Sequence, residues 1–72
     1  MSRKEKREQK IRENPANVQL EEFEALVRQY GSIREGGKHP QAVIGKRFMT
    51  YKRTNPVKAA YVKQLLEYID NP

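Results

Sequence analysis

Apolar side chains recur with two different periods along the chain, and these periods predict its elements. Over residues 19–30 they return every three or four positions, which is the spacing of one face of an α-helix. Residues 58–69 repeat that spacing, so we expect a second helix near the end of the chain. The two apolar stripes consist of Leu20, Phe23, Val27 and Tyr30 in the first helix and of Val62, Leu65, Leu66 and Ile69 in the second.

The first of these helices has recognisable ends. Gln19 is expected as its N-cap, because Val18 and Phe23 then stand at the spacing of a hydrophobic staple. Gly31 supplies a C-terminal stop, since glycine is the residue that most often follows a helix.

Between the helices the pattern changes to a β-hairpin. Residues 42–44 and 48–51 are β-prone runs, and Gly45-Lys46 between them suits a two-residue type II′ turn. This turn places Ile44 opposite Arg47, and the pairing continues towards His39 opposite Lys52 if the strands extend that far.

The alternation of side chains divides the hairpin into two faces. The more apolar face should be covered by the helices, and the other should look outward. The first holds Ala42, Ile44, Met49 and Tyr51, with Pro40 and Arg47 at its ends; the second holds His39, Gln41, Val43, Phe48, Thr50 and Lys52.

Residues 32–35 fit a further short strand between two glycine breaks, so the element order is helix, three strands, helix. We therefore predict an α+β fold, a small αβββα domain over residues 14–72 with a three-stranded antiparallel sheet and both helices on one face. The residues expected to be buried are Leu20, Phe23, Val27, Ala42, Ile44, Met49, Val62, Leu65, Leu66 and Ile69.

Residues 1–13 lack an apolar stripe. They contain good helix formers, but Ile11 is their only large aliphatic side chain beyond the initial methionine. A segment of this kind gains little from packing, so we expect a basic N-terminal arm that is a frayed helix or disordered. Asn14-Pro15 ends it, because the residue before proline avoids the α region.

A length of 72 residues favours a single small domain with a thin core, to which self-association would add buried surface. The absence of cysteine excludes disulfides and thiolate zinc sites. No stretch has the composition of a signal peptide or of a membrane span, so a cytoplasmic protein without a membrane partner is expected.

Positive charge is concentrated in residues 36–63, which contain seven Lys or Arg and no Asp or Glu. Such a block is a footprint for a polyanion, although a solvated basic surface has the same composition. On the first interpretation RNA would contact Lys38, Lys46, Lys52, Arg53 and Lys58.

From residue 14 to about residue 70 the chain resembles the HicA-like toxins, which are small RNA-cleaving partners of HicB antitoxins. Three segments carry the resemblance in order: NPANVQLEEFEAL from residue 14, Gly37-Lys38-His39 entering a strand, and PVKAAYVKQLLE from residue 56. Lys38 stands where the family usually has serine, Pro40 follows His39, and Thr54-Asn55-Pro56 stands where His-Lys-Pro is frequent.

The resemblance implies a fold similar to double-stranded-RNA-binding domains and an mRNA interferase of a type II toxin–antitoxin system. It also implies a catalytic role for His39 and a HicB-like antitoxin as partner. The histidine would act as the base that removes a ribose 2′-proton, with lysines balancing the charge on the phosphate. No paired carboxylates and no second histidine stand near His39 in the sequence, so neither a two-metal mechanism nor a cofactor is expected.

Phe48 allows two interpretations, as a base-stacking residue on the outward face or as peripheral core. The function also has alternatives. A noncatalytic RNA-binding module, or a protein-interaction domain whose basic surface meets an acidic partner, would keep the same fold.

Overall fold

The computed structural model describes residues 3–72 as an α+β domain in which three helices accompany one three-stranded antiparallel sheet. From the second helix onward, the order of elements is the predicted αβββα order. The elements are α1 Arg3–Glu13, α2 Leu20–Tyr30, β1 Ser32–Arg34, β2 Gln41–Ile44, β3 Arg47–Thr50 and α3 Ala59–Asp70.

The sheet has β2 in the centre, and the predicted register of its hairpin is confirmed. Ile44 lies opposite Arg47, and the pairing continues from there to the opposite end of both strands. Gly45 has φ +60° and Lys46 has a negative φ, which fits a type II′ turn and excludes type I′. The turn therefore positions every side chain of β2 and β3.

The core lies between the helices and one face of the sheet. Ala42, Ile44, Met49 and Tyr51 are all buried on that face, as their alternation predicted. Three residues of the predicted core, Leu20, Leu66 and Ile69, are only partly buried and pack against its border; Leu20 and Ile69 lie at the ends of their helices. The other buried side chains are Ile11, Val18, Phe23, Leu26, Val27, Val57, Val62 and Leu65.

Helix α2 begins and ends where the sequence predicted. Gln19 is its N-cap, and Glu22 Oε1 accepts a hydrogen bond from the Gln19 amide at 3.3 Å. At the other end, Gly31 is extended, with φ −162°, so it is not a left-handed cap. A Cβ on Gly31 would lie 1.9 Å from the Val43 carbonyl oxygen, so glycine is needed there for the close approach of β2.

For residues 3–13 the structure has the helical one of the two predicted alternatives. They form α1, and the feature that the sequence did not predict is the burial of Ile11, which is 1% exposed in the common core. Arg12 reaches Asp70 of α3 with two hydrogen bonds, at 2.8 and 3.1 Å. The first two residues of the predicted arm lie outside the described residues, and a domain boundary at residue 13 stays a prediction.

Over residues 3–72, no helix is both long enough and apolar enough to cross a membrane.

Candidate nucleic-acid interface

The sheet face turned away from the helices forms the first part of the candidate site. Directly paired residues of an antiparallel sheet point to the same face, so two rows of three side chains run across it. Phe48, in β3, is 62% exposed, and among the described residues Tyr30, at 43%, is the other exposed large apolar side chain. The rows are Ser32, Val43 and Phe48, and Arg34, Gln41 and Thr50.

The loop of residues 35–40 holds the histidine. Gly36 and Gly37 have φ values of +147° and +74°, a backbone region that side chains with a Cβ rarely adopt. Lys38 and His39 follow them and are exposed. Because β2 begins only at Gln41, His39 lies in the loop before the strand.

The end of this loop is attached to the segment after β3. The backbone amide of Tyr51 donates to the carbonyl oxygen of Pro40 at 3.2 Å, which extends the hairpin by one pair beyond β2 and β3. His39 and Lys52 each lie one residue beyond that pair, at the same end of the sheet. The strand pairing predicted for these two residues is not part of the sheet, but the fold still places them at one corner of the molecule.

The four lysines of the predicted site are exposed at three different places. Lys38 and Lys52 lie at the histidine end of the sheet, whereas Lys46 lies at the hairpin tip, roughly 20 Å along the strands. Lys58 is the N-cap of α3, whose first turn contains no acidic residue. Within residues 3–72, none of these four lysines forms an ion pair, so their charges are not neutralised by a bonded carboxylate.

Arg53, the fifth predicted cation, has a different environment. Its Nε donates to Glu24 Oε2 at 2.8 Å and its Nη2 donates to Glu35 Oε2 at 2.7 Å. The hydroxyl of Tyr51 donates to the same Glu24 oxygen at 2.6 Å. Two carboxylates therefore compensate this guanidinium, and a contact with RNA stays a prediction for it.

The network around Arg53 shifts the pKa values of its members. Burial of Glu24 raises its pKa, but the hydrogen bonds from Tyr51 and Arg53 outweigh that effect and hold the pKa below its ordinary value. Burial, followed by the hydrogen bond to Glu24, raises the pKa of Tyr51. The hydrogen bond from Arg53 lowers the pKa of Glu35. At neutral pH both carboxyl groups are thus ionised and the phenol is neutral.

A groove between α1 and α2 is separate from the predicted site. Its lining includes Glu5, Glu8, Glu13 and Arg12, together with Tyr30, whose hydroxyl donates to Glu8. With three carboxyl groups against one guanidinium, this groove does not suit a phosphate chain. Among the described residues, no three histidine, aspartate or glutamate side chains are grouped so as to hold a metal ion.

Sequence reasoning missed the residues that hold the site in place. Glu24 stands among helix-start acids, and nothing in its position marked it as the partner of Tyr51 and Arg53. The sequence marked Asn55 only as the residue before Pro56, yet its Oδ1 accepts a hydrogen bond from the Leu20 amide at 2.9 Å. That bond attaches the segment before α3 to the start of α2. Both sets of hydrogen bonds join residues about 30 positions apart in the sequence. A local sequence pattern therefore cannot predict them.

Comparison of the chain with protein-family models, with curated proteins and with solved structures gave no match.

Proposed function

We propose that this chain is the toxin of a type II toxin–antitoxin pair, a HicA-like mRNA interferase that cleaves RNA without a metal ion. His39 is its base, and a HicB-like antitoxin neutralises it in the cytoplasm. The fold and the three sequence segments that resemble HicA-like toxins motivate the proposal, and the geometry of the candidate site supports it.

The observation that carries the proposal is the arrangement at the histidine end of the sheet. His39 and Lys38 are exposed on a glycine-containing loop, and Lys52 is exposed on the adjacent segment after β3. Neither lysine has a bonded carboxylate among residues 3–72. A titratable base beside uncompensated cations is the combination that metal-free RNA cleavage needs.

Phe48 extends this arrangement along the outward face. Its ring is largely exposed beside Val43 and Thr50, and the same face carries Arg34 on β1 and no carboxylate among its paired residues. Unpaired bases stack on exposed aromatic rings, and the sugar–phosphate chain favours a basic border. The substrate in this proposal is therefore unpaired RNA lying across the sheet, with Lys46 and Lys58 as outer phosphate contacts.

The reaction is an internal transesterification. His39 takes the proton of a ribose 2′-hydroxyl, the 2′-oxygen forms a bond with the adjacent phosphorus, and the bond from phosphorus to the 5′-oxygen breaks. The leaving oxygen takes a proton from solvent, so the products are a 2′,3′-cyclic phosphate and a 5′-hydroxyl. Lys38 and Lys52 balance the extra negative charge of the transition state.

The central test is replacement of His39 by alanine. His39 is exposed and lies in a loop, so the variant should keep the fold and bind RNA almost as the wild type does. Cleavage of labelled RNA in the presence of a chelator, and growth arrest on expression, should both disappear. Lys63→Ala, which removes an exposed charge from α3, is the matched control and should remain active.

Three results would change the conclusion. Full cleavage by the His39→Ala variant would remove the histidine from the mechanism. Wild-type cleavage that stops when a chelator is added would remove the metal-free reaction. A wild type that binds RNA but neither cuts it nor arrests growth would favour the noncatalytic module.

The salt dependence of RNA binding provides an independent test. If the four lysines contact phosphates of a single strand, raising the salt from about 50 to 200 mM should weaken binding about 50-fold. The measurement is fluorescence anisotropy of a labelled single-stranded RNA at several salt concentrations. An affinity that does not change with salt would contradict phosphate contact by these residues.

A further inference from the structure

The loop that carries His39 is held at both of its ends by the segment that follows β3. At its start, Glu35 accepts a hydrogen bond from Arg53 at 2.7 Å. At its end, the Pro40 carbonyl accepts the Tyr51 amide at 3.2 Å, and Pro40 itself is buried. Tyr51 and Arg53 are two residues apart, so one short stretch of chain determines where both ends of the loop lie.

Between these two attachments the loop has little to hold it. A Cβ on either Gly36 or Gly37 would find no atom within 4 Å, so both glycines lie in open space. Glycine also has the largest backbone freedom of any residue, which makes an unanchored loop of this composition mobile. The order of Lys38 and His39 thus depends on the attachments at residues 35 and 40.

Arg53 is itself fixed to the core of the domain. Its Nε donates to Glu24 of α2, and the same carboxylate oxygen accepts the hydroxyl of Tyr51. The Tyr51 side chain is fully buried, and its ring meets Phe23 edge-on with a centroid separation of 4.8 Å. The planar fork of a guanidinium can bond two carboxylates at once, which the single ammonium of lysine does with much poorer geometry.

We infer that Arg53 is a positioning residue: by bridging Glu24 on α2 to Glu35 at the start of the loop, it holds the histidine loop in place. Its contribution to catalysis rests on the proposed function, whereas its effect on the loop does not. Its Nε and Nη2 both donate to carboxylates, whose negative charge opposes a phosphate at the same place. This role differs from the direct RNA contact that the clustering of basic residues suggested, which stays a prediction.

Glu35→Ala is the most informative variant, because Glu35 is exposed and its loss leaves the core intact. Amide ¹⁵N relaxation of the full-length protein would report the order of residues 36–39. In the wild type the order parameters should be about 0.8, and in Glu35→Ala they should fall below about 0.6. Arg53→Lys should give the same change although it keeps the positive charge. Lys52→Gln, which removes the neighbouring charge, should leave the order parameters unchanged.

The inference is overturned if residues 36–39 are equally ordered in the wild type and both variants, or if they are already mobile in the wild type. An unchanged amide spectrum outside the loop establishes that each variant is folded. This part of the experiment needs no RNA. It therefore decides the role of Arg53 even if the wild type does not cleave.

The cleavage rate at saturating RNA separates positioning from RNA contact. Glu35→Ala should slow cleavage about 10-fold or more, because displacing the base by about 1 Å has a large effect on rate. If Arg53 instead binds phosphate, Glu35→Ala frees its guanidinium, and affinity rises with no loss of rate. That result would overturn the inference, whereas a wild type that lacks cleavage altogether would overturn the proposed function.

Discussion

Replacing Ile11 by alanine tests whether α1 is part of the domain. Ile11 is 1% exposed and lies within the common core, although its helix has no other buried residue among residues 3–13. The other contacts of α1 include the ion pairs of Lys10 with Glu22 and of Arg12 with Asp70 and the hydrogen bond from Tyr30 to Glu8. These lie at the surface, where such contacts stabilise little. The attachment of α1 therefore depends mainly on one side chain.

The expected magnitude follows from the size of the deletion. Ile→Ala removes three carbons, which is about 2.4 kcal/mol of transfer free energy at about 0.8 kcal/mol for each. The cavity left behind adds to this, and measured costs of such deletions lie between about 2 and 5 kcal/mol. A domain of this length has about 4–11 kcal/mol of stability in total, so the variant should lose a large fraction of it.

Urea unfolding followed by circular dichroism measures this loss. We expect the midpoint to fall markedly with a nearly constant slope, since the core is weakened without a change in the surface that unfolding exposes. Gln9→Ala, at an exposed position of the same helix, is the control and should change little. A loss below about 0.5 kcal/mol for Ile11→Ala, which is typical of a surface position, would mean that α1 is a dispensable arm.

Two further predictions concern the way the sheet is held against α2. Gly31→Ala should lower the free energy of unfolding by about 1–3 kcal/mol, because its methyl group would overlap the Val43 carbonyl; an unchanged urea midpoint would contradict the close approach. Glu24→Gln should destabilise the protein at pH 7. The folded-state pKa of Glu24 is depressed, so its contribution is present above the unfolded-state value of about 4.3 and is lost as the pH falls through the folded-state value. Urea midpoints of the wild type and Glu24→Gln should therefore converge in acid, and a constant difference down to about pH 2 would be inconsistent with the carboxylate bonds to Tyr51 and Arg53.

The parts of the fold that the sequence predicted are those with a local cause. Helical spacing predicted α2 and α3, and the position of Gly45 predicted the hairpin register, because turn type determines strand pairing directly. Alternation along the strands then separated the buried face from the outward face and placed Phe48 on the latter, whereas its 62% exposure was known only from the structure. His39 was identified as a candidate site residue because it is the only histidine in the sequence and because of the residues next to it.

Other features were decided only by tertiary structure. Ile11 gave no helical stripe, and its burial depends on a surface that α2 and the rest of the core create once they have assembled. Gly31 was expected as a helix stop, but glycine is required there because the Val43 carbonyl, twelve residues away, leaves no room for a Cβ. Arg53 looked like a free cation until the fold placed Glu24 and Glu35 beside it. In each case the contacting residue is distant in sequence. The residues next to a charged or apolar side chain in the sequence do not indicate which distant residue it will contact. The sequence by itself therefore determined α2, α3, the hairpin and its exposed face, whereas packing determined that α1 joins the core, which side chains are held and which remain available to a ligand.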